Sequence, residues 1–302
     1  MLHGKKAILL LILFLMASVS VAEDTPKPIS EQEQKEQQSE AYLRIQRDED
    51  GTPQMLQTSV VRFVPSGQKT ANGDGKLAVD LVSAVHIADK SYYEKLNREF
   101  AKYDVVLYEL VAPPGAEVPK NGSKNGGSPV SFLQRGMKDM LELEFQLDLI
   151  DYEAKNLIHA DMSPEEFAAS MKQKGESVLG IFLRMMGHAM AQQGKAGGTS
   201  DAQLLAALFN KNRALALKRV MAEQFQDMDG AMIALEGPDG STLISERNKV
   251  ALKVLREQID KGKKKIAIFY GGGHMPDIQK RLRDDFELVP GKTRWLDAWD
   301  MK

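Results

Sequence analysis

Two runs of apolar residues, each as long as a buried strand, flank a helical pattern in the first half of the chain. The runs span residues 77–87 and 104–111 and are rich in Val and Leu. Between them, Ser91 and Glu94 have the spacing of a capping box, and apolar residues recur at helical intervals. A connection of this length suits a crossover helix and is too long for a hairpin. The pattern therefore predicts two parallel strands joined by a helix.

A histidine and a glutamate end these two predicted strands. His86 closes the first run and Glu109 closes the second. A right-handed crossover brings both ends to one edge of the sheet, where open α/β sheets bind their ligands. If the strands pair directly, the two side chains lie about 5 Å apart. We therefore expect His86 and Glu109 to begin a functional site.

The same pattern recurs near the end of the chain. Residues 265–270 form a third apolar run, and a helical pattern begins near Pro276. The recurrence predicts two β-His-α-β half-repeats whose histidines face each other. Backbone N–H groups of the intervening glycine run could also hold an anionic group of a cofactor or ligand. The intervening residues are Gly271, Gly272, Gly273 and His274, and the matching spacing links Ser83, His86 and Asp89 to Gly271, His274 and Asp277.

Between the two halves the apolar period becomes helical. Residues 132–150 favour one long helix, and Ser163 begins another through a capping box with Pro at the first helical position. We expect residues 131–226 to form a helical cap over the sheet edge. Residues 41–46 and 55–64 are predicted as antiparallel strands that cover or extend a sheet edge. The predicted fold class is α/β, with a mixed sheet built from the two half-repeats and a helical insertion between them.

Three further polar residues are candidates for the site. Arg247 falls in the first turn of a predicted helix, where the helix dipole opposes a cation. We infer that it serves an external anion or the Glu109 carboxylate; the alternative is a surface ion pair with Glu246. Tyr152 and His159 could line the cavity from the cap side. Alternatively, His159 satisfies loose backbone groups at a helix junction.

The first 22 residues have the order of a secretory signal peptide. Lysines precede a 15-residue apolar run and a Ser-Val-Ala cleavage pattern. Residues 23–40 are polar and without aromatics, and we expect a flexible tether to a domain at 41–302. The expected location is periplasmic or extracellular, with cleavage after Ala22. An uncleaved membrane anchor is the alternative.

Composition narrows the classes of function. With 43% hydrophobic and 27% charged residues, the chain can build a sizeable core. It contains no cysteine, which excludes disulfides, thiol chemistry and lipid attachment through cysteine. The formal net charge of −2 gives no indication of a nucleic-acid partner. The absence of a GxSxG nucleophile elbow argues against a serine hydrolase.

Four stretches occur in this order: SAVHIAD at 83–89, VVLYEL at 105–110, the Glu246-Arg247-Asn248 triplet and FYGGGHMPDI at 269–278. Together they resemble the TraB/GumN/TIKI family, which is itself similar to erythromycin esterases and ChaN-like haem-binding proteins. The resemblance covers about residues 75–300, with a poorly matched middle, and implies a metal-dependent hydrolase; TIKI members act as proteases. One departure is Ser83, which stands where the first GxxH motif has glycine.

What the resemblance implies for single residues is a site of two GxxH histidines, a strand-end glutamate and a helix arginine. Two imidazoles and one carboxylate suit a divalent metal such as Mn, Co or Zn, which would activate water and polarise a carbonyl. The residues carried over are His86, His274 and Glu109 as metal ligands and catalytic groups, and Arg247 as the group that stabilises an oxyanion.

Other chemistry fits the same residues. Glu109 and one histidine could hydrolyse a peptide or small ester by acid–base catalysis without a metal. The histidines could instead bind haem or a metal for storage or sensing. A third alternative is an exported interaction protein with a degenerate site. The sequence does not indicate the substrate or the oligomeric state.

Overall fold

The structure is a computed structural model that describes residues 42–67, 76–113, 141–177, 201–235 and 240–302, and the single positions 115, 116, 118, 180 and 181. All of these residues belong to one compact unit, Glu40–Lys302. The predicted signal peptide at 1–22, the tether at 23–40 and the start of the predicted cap at 131–140 lie outside the described residues.

The described residues contain nine strands and seven α-helices. None of these helices is long and apolar enough to cross a membrane. The strands are β1 Leu43–Arg47, β2 Pro53–Pro65, β3 Ala78–Ala84, β4 Ile87–Ala88, β5 Val105–Tyr108, β6 Glu144–Phe145, β7 Leu157–His159, β8 Lys265–Gly271 and β9 Leu288–Asp300. The helices are α1 Lys90–Phe100, α2 Gln146–Leu149, α3 Pro164–Gln173, α4 Asp201–Leu208, α5 Arg213–Leu235, α6 Arg247–Asp260 and α7 Met275–Phe286.

Seven of the strands form a mixed sheet. Its order is β1-β2-β3-β8-β5-β7, with β9 also paired to β2. Strands β3, β8, β5 and β7 run parallel, whereas β1, β3 and β9 each pair antiparallel with β2. Strands β4 and β6 form a separate antiparallel pair. The predicted α/β class with a mixed sheet is confirmed.

Helices cover both faces of the parallel part of the sheet because its central strands are apolar on both sides. Every residue of β3 and β5 is buried. Burying each Leu or Phe side chain contributes about 1.5–3 kcal/mol, so these layers fix where the strands end. The packed side chains are Tyr92, Tyr93, Leu96 and Phe100 on the α1 face, and Leu252, Leu255, Ile278 and Leu282 on the face covered by α6 and α7.

The first two predicted strands, β3 and β5, are parallel as expected, but β8 lies between them, so they do not pair directly and the separation of about 5 Å does not apply. Residues 266–270 of β8 are all buried, as a central strand requires. With strands about 4.8 Å apart, the axes of β3 and β5 are separated by about 10 Å. His86 therefore follows a strand that is two places away from the strand that carries Glu109. The ends of all three strands still lie at one edge of the sheet.

The predicted cap is not wholly helical where the structure describes it. Residues 141–150, expected to end a long helix, instead include β6 and the single turn α2, because β6 pairs with β4. Strand β7 extends the main sheet beside β5, so tertiary pairing overrides the local helical pattern. The capping box at Ser163 is confirmed: its Oγ accepts from the Glu166 backbone N–H at 3.1 Å, and Pro164 begins α3.

The two predicted antiparallel strands are confirmed as β1 and β2, but β2 is not an edge strand. The C-terminal strand β9 pairs along one side of β2, and β1 and β3 share the other side. Residues 55–61 of β2 are accordingly all buried. Among the described strands, β9 pairs with β2 alone.

Candidate active site

Glu109 lies directly after β5, where its carboxylate is held by groups from two other elements. Its Oε2 accepts a hydrogen bond from the Gly271 backbone N–H at 2.7 Å. Its Oε1 accepts one from Nη2 of Arg247, also at 2.7 Å. The Gly271 N–H, predicted to hold an anionic ligand, thus holds a carboxylate of the protein itself. The pairing of β5 with β8 brings these groups together.

Arg247 is buried between two carboxylates. Its Nε and Nη2 donate to Asp161 at 3.0 and 2.6 Å, and the Asp161 side chain is fully buried. Burial opposes the charged guanidinium, but the hydrogen bond to Asp161 and the charges of Glu109 and Asp161 outweigh it and raise the pKa of Arg247. The guanidinium is therefore permanently charged. Its carboxylate partners are Asp161 and Glu109, and not Glu246, which was the alternative expected from the sequence.

A π-helical turn, Thr242–Glu246, places Arg247 at the start of α6. The Ser241 side chain accepts from the Ile244 backbone N–H at 3.1 Å and so begins this turn. π-turns are rare and occur frequently at functional sites. Here the wider turn delivers the guanidinium toward the sheet edge.

One arm of the guanidinium has only long contacts. Nη1 of Arg247 lies 3.4 Å from the Leu243 carbonyl oxygen and 3.4 Å from Nε2 of His274. Both distances exceed those of a strong hydrogen bond. The Nη1 arm therefore keeps the capacity to donate to a bound group, while Nε and Nη2 are used inside the protein.

The His274 ring is held by the side-chain amide of Asn248. Nδ2 of Asn248 donates to the His274 carbonyl oxygen at 3.2 Å and to Oδ2 of Asp277 at 2.8 Å. With two acceptors beside Nδ2, the amide oxygen must face the ring, where it lies 2.7 Å from Nδ1. An amide oxygen only accepts, so Nδ1 carries the proton. In the neutral ring, Nε2 then carries the lone pair.

Three functional atoms converge at this point. Nε2 of His274 lies 3.4 Å from Oε1 of Glu109 and 3.4 Å from Nη1 of Arg247. The His274 and Glu109 side chains are 6% and 12% exposed, so the charges act in a largely dry environment. Burial alone would raise the pKa of Glu109. The charge and hydrogen bond of a protonated His274 ring, together with the charges of Arg247 and His86, outweigh it and hold the pKa well below its ordinary value. While the ring is neutral, Arg247 is the cation in contact with the carboxylate.

His86 lies at the rim of this cluster. His86 is exposed, and its backbone carbonyl oxygen accepts a hydrogen bond from the Gln146 backbone N–H at 2.9 Å. Its charge contributes to the low pKa of Glu109, so the two side chains are within electrostatic range. The structure thus brings Glu109, Arg247 and His274 into contact and leaves His86 beside them.

The predicted metal ligands do not fit one metal ion as the structure arranges them. Among the described residues, no three His, Asp or Glu side chains are placed to hold a single ion. The Arg247 cation already occupies Oε1 of Glu109 and lies beside Nε2 of His274. A cation so close to two of the three donors opposes the binding of a second cation. We therefore derive no chemical step through a metal, and the metal stays a prediction.

Tyr152 and His159, the candidates from the cap side, lie in an aromatic cluster with Tyr108. The Tyr152 and His159 rings make edge contacts with Tyr108, with centroids 4.9 and 5.7 Å apart. Burial raises the pKa of Tyr152, and the Glu109 charge adds to this, so the phenol lies within electrostatic range of the site. Nε2 of His159 lies 2.5 Å from the Leu110 carbonyl oxygen, and this contact fits the predicted alternative that His159 satisfies a backbone group.

Ser83, the departure from the family's glycine, lies within the sheet. It is the penultimate residue of β3, paired with Tyr270 of β8, and is fully buried. Its hydroxyl has no hydrogen-bond partner among the described residues. The remaining residues of the glycine run, Gly272 and Gly273, form the short 3-10 turn that carries His274.

Two residues of the cluster were not predicted as site residues. Asp161 follows β7 as Glu109 follows β5, and these strands pair Tyr108 with His159. Once residues 157–159 are known to be a strand beside β5, a carboxylate just beyond their end becomes a candidate for the site. Asn248 gave no signal beyond its place next to Arg247, because its role depends on how α6 packs against the turn that carries His274.

Comparison of the chain with protein-family models, with curated proteins and with solved structures found no match. Membership of the TraB/GumN/TIKI family therefore stays a prediction from the four resembling stretches.

Proposed function

We propose that this protein is an exported hydrolase that attacks a neutral carbonyl group, in a peptide or a small ester, with water activated by His274. The observation that carries the proposal is the convergence of a lone-pair nitrogen, a carboxylate and a guanidinium arm. Nε2 of His274 lies 3.4 Å from both Oε1 of Glu109 and Nη1 of Arg247. A base beside an oxyanion donor is the minimum that acyl transfer to water requires.

His274 is the base in this proposal, and Glu109 is not. A general base works best when its pKa lies near the working pH, and the pKa of Glu109 is held well below its ordinary value. Glu109 stays ionised and balances the positive charge that forms on the ring. This differs from the expectation that Glu109 itself activates water.

The proton and electron movements follow from the fixed tautomer. Water hydrogen-bonded to Nε2 attacks the carbonyl carbon as Nε2 takes its proton, and the carbonyl electron pair moves to oxygen. The Nη1 arm of Arg247 donates to that oxyanion. When the tetrahedral intermediate collapses, the imidazolium returns the proton to the leaving nitrogen or oxygen. Throughout these steps Nδ1 keeps its proton and donates it in a hydrogen bond to Oδ1 of Asn248.

The charge balance of the cluster favours a neutral substrate group. Asp161 and Glu109 supply two negative charges and Arg247 one positive charge, so the cluster is anionic while the ring is neutral. A substrate carboxylate at the reacting position would meet this negative charge. We therefore expect internal peptide bonds, amides or esters to be preferred over bonds next to a free carboxylate.

Turnover on a panel of peptides, amides and esters tests the proposal. His274→Gln should lower the rate by about 10²–10⁴-fold, the usual contribution of a general base. Arg247→Met should lower it by about 10²-fold or more, as the loss of one oxyanion donor does. The matched control is Arg98→Met at an exposed site of α1, with no expected change. Equal rates in wild type and His274→Gln across the panel would reject His274 as the base, and no turnover of any substrate by the wild type would reject the hydrolase.

Metal analysis and an absorption spectrum of the purified protein separate the remaining alternatives. A stoichiometric colourless metal whose removal abolishes turnover would support the metal-dependent form implied by the family resemblance. A Soret band without turnover would support haem binding instead. Turnover that persists after chelation supports the metal-free chemistry proposed for His274.

A further inference from the structure

The two halves of the predicted repeat end in aspartates that have different partners. Asp89, in the first half, accepts from Nζ of Lys218 at 2.7 Å and from the Asp300 backbone N–H at 2.5 Å. These contacts tie α5 and β9 to the start of α1. Asp89 therefore has a structural role at the periphery of the site.

Asp277, in the second half, instead faces the residue that holds the His274 ring. Its Oδ2 accepts from Nδ2 of Asn248 at 2.8 Å and from Nε of Arg281 at 2.8 Å. Arg281 is four residues further along α7, so the pair is an (i, i+4) ion pair. The contacts form a continuous chain from the partly exposed Arg281 through Asp277 and Asn248 to Nδ1 of His274.

We propose that Asp277, oriented by Arg281, is a positioning residue that selects the Nδ1–H tautomer of His274 by fixing the side-chain amide of Asn248. The catalytic consequence rests on the proposed function, but the tautomer selection does not.

The physical step is the choice between two orientations of the Asn248 amide. In the observed orientation the NH2 group meets two acceptors, the Asp277 carboxylate and the His274 carbonyl oxygen. Rotating the amide by half a turn would place its oxygen against both of them. The carboxylate carries a full charge and is the nearer of the two, so it dominates the preference.

Removing that carboxylate would leave only the 3.2 Å contact to the His274 carbonyl oxygen. The rotated amide would then present N–H groups to Nδ1, and the ring would move its proton to Nε2 to accept them. A ring with a proton on Nε2 cannot take one from water. Loss of Asp277 therefore acts on the base without touching the reacting atoms.

The partial burial of the Arg281–Asp277 ion pair supports a positioning role. Burial alone would lower the pKa of Arg281, but its hydrogen bond to Asp277 and the carboxylates around it raise the pKa. Arg281 is thus a fixed cation next to Asp277 and favours the carboxylate form. An exposed pair on the same helix, Lys280 with Asp284, has the same spacing and offers a matched comparison.

The experiment measures the tautomer directly on the full chain. Long-range ¹H–¹⁵N NMR of histidine-labelled protein, in alkaline buffer where imidazole is neutral, distinguishes Nδ1–H from Nε2–H. The His274 signals are identified by their loss in His274→Asn. Wild type should hold the Nδ1–H form, and Asp277→Ala should shift the ring toward Nε2–H. With an active substrate, kcat/KM of Asp277→Ala should also fall about 10-fold, as for other supporting residues.

Asp284→Ala is the control, because it removes the exposed (i, i+4) pair on α7 and should change neither readout. An unchanged Nδ1–H ring in Asp277→Ala overturns the proposal even if the protein is a hydrolase. If the protein shows no hydrolysis, the NMR result still decides the tautomer claim.

A second variant covers the case in which Asp277→Ala does not fold. Asn248→Asp combined with Asp277→Asn keeps the side-chain shapes and the total charge, and moves the carboxylate next to the ring. A carboxylate only accepts, so the Nδ1–H form must persist. Its loss in the double variant would show that the residue at position 248 does not control the ring.

Discussion

Oε1 of Glu109 lies 3.4 Å from Nε2 of His274, although 165 positions separate the two residues in the sequence. Glu109 follows β5 and His274 follows β8, and the parallel pairing of these strands sets the distance. Because the carboxylate also accepts from Arg247 and Gly271, it has little freedom to rotate away from the ring. The contact therefore contributes to both stability and turnover, and a substitution at either residue should alter both.

Glu109→Gln should change how stability depends on pH. The folded-state pKa of Glu109 is lowered from 4.5, so its carboxylate stabilises the folded protein above about pH 4.5. That stabilisation is lost as the pH falls through the lower folded-state value. Urea unfolding from pH 7 down to pH 2 should show wild type more stable than Glu109→Gln near neutrality, with the difference shrinking in acid.

Glu257→Gln provides the control for that titration, because Glu257 is an exposed residue of α6. Its difference from wild type should be small throughout. A Glu109→Gln difference that stays constant from pH 7 to the acid limit would mean that the carboxylate is not held in its charged form by the cluster.

Asp161→Asn should be strongly destabilising. Asp161 is fully buried and holds two nitrogens of Arg247, so its neutralisation leaves a buried cation with one carboxylate partner. Breaking a buried ion pair by removing one partner costs about 3–5 kcal/mol. Chemical unfolding should therefore show a larger loss for Asp161→Asn than for Asp260→Asn, an exposed aspartate of α6. A loss below about 0.5 kcal/mol, typical of surface positions, would contradict the role of Asp161 in holding Arg247.

The sequence predicted the elements that local pattern controls. The strand-helix-strand unit around His86, the capping box at Ser163 and the apolar strand before Gly271 are all found, because each depends on residues close in the chain. Strand order was not predictable in the same way. The apolar runs of β3, β5 and β8 are alike, and nothing in their periodicity says which one is central.

Which side chains meet at the site depends even more on how the strands and helices pack together. The side chains of Glu109, Arg247 and His274 meet at one edge of the sheet. The distances between them depend on the position of β8 between β3 and β5. Asp161 was hidden because residues 157–159 had been expected to lie in a helical cap and not in the sheet. Once β7 is a strand, a carboxylate just after it falls next to the end of β5.

Ser83→Ala should stabilise the protein. The Ser83 hydroxyl is buried without a hydrogen-bond partner among the described residues, and an unsatisfied buried polar group costs about 1–3 kcal/mol. Urea unfolding should show a gain of about 1 kcal/mol for Ser83→Ala and almost none for Ser66→Ala, which lies in an exposed turn. Ser83→Gly, which restores the family's glycine, should leave turnover unchanged because the residue lies inside the sheet. A loss of stability in Ser83→Ala would mean that the hydroxyl is satisfied in solution.

Double replacements should separate a cluster in contact from a shared metal site. His274 and Glu109 touch, so His274→Ala and Glu109→Gln should each remove most of kcat/KM, and the double variant should be little worse than either. His86 is exposed and lies beside the cluster, so its replacement should act independently. The effects of His86→Ala and His274→Ala should multiply within about twofold, as for sites that do not act as a unit.

A shared metal predicts a different result for that last pair. If His86 and His274 bind one ion, either single replacement removes the metal, and the double variant is no worse than the singles. The measurement is kcat/KM for the four proteins of each cycle on the best substrate of the panel, with metal content determined on the same samples. Multiplicative effects at constant metal content support His274 as a base that works with Glu109 and Arg247. Non-additive effects with parallel loss of metal would replace that mechanism by the metal-dependent one.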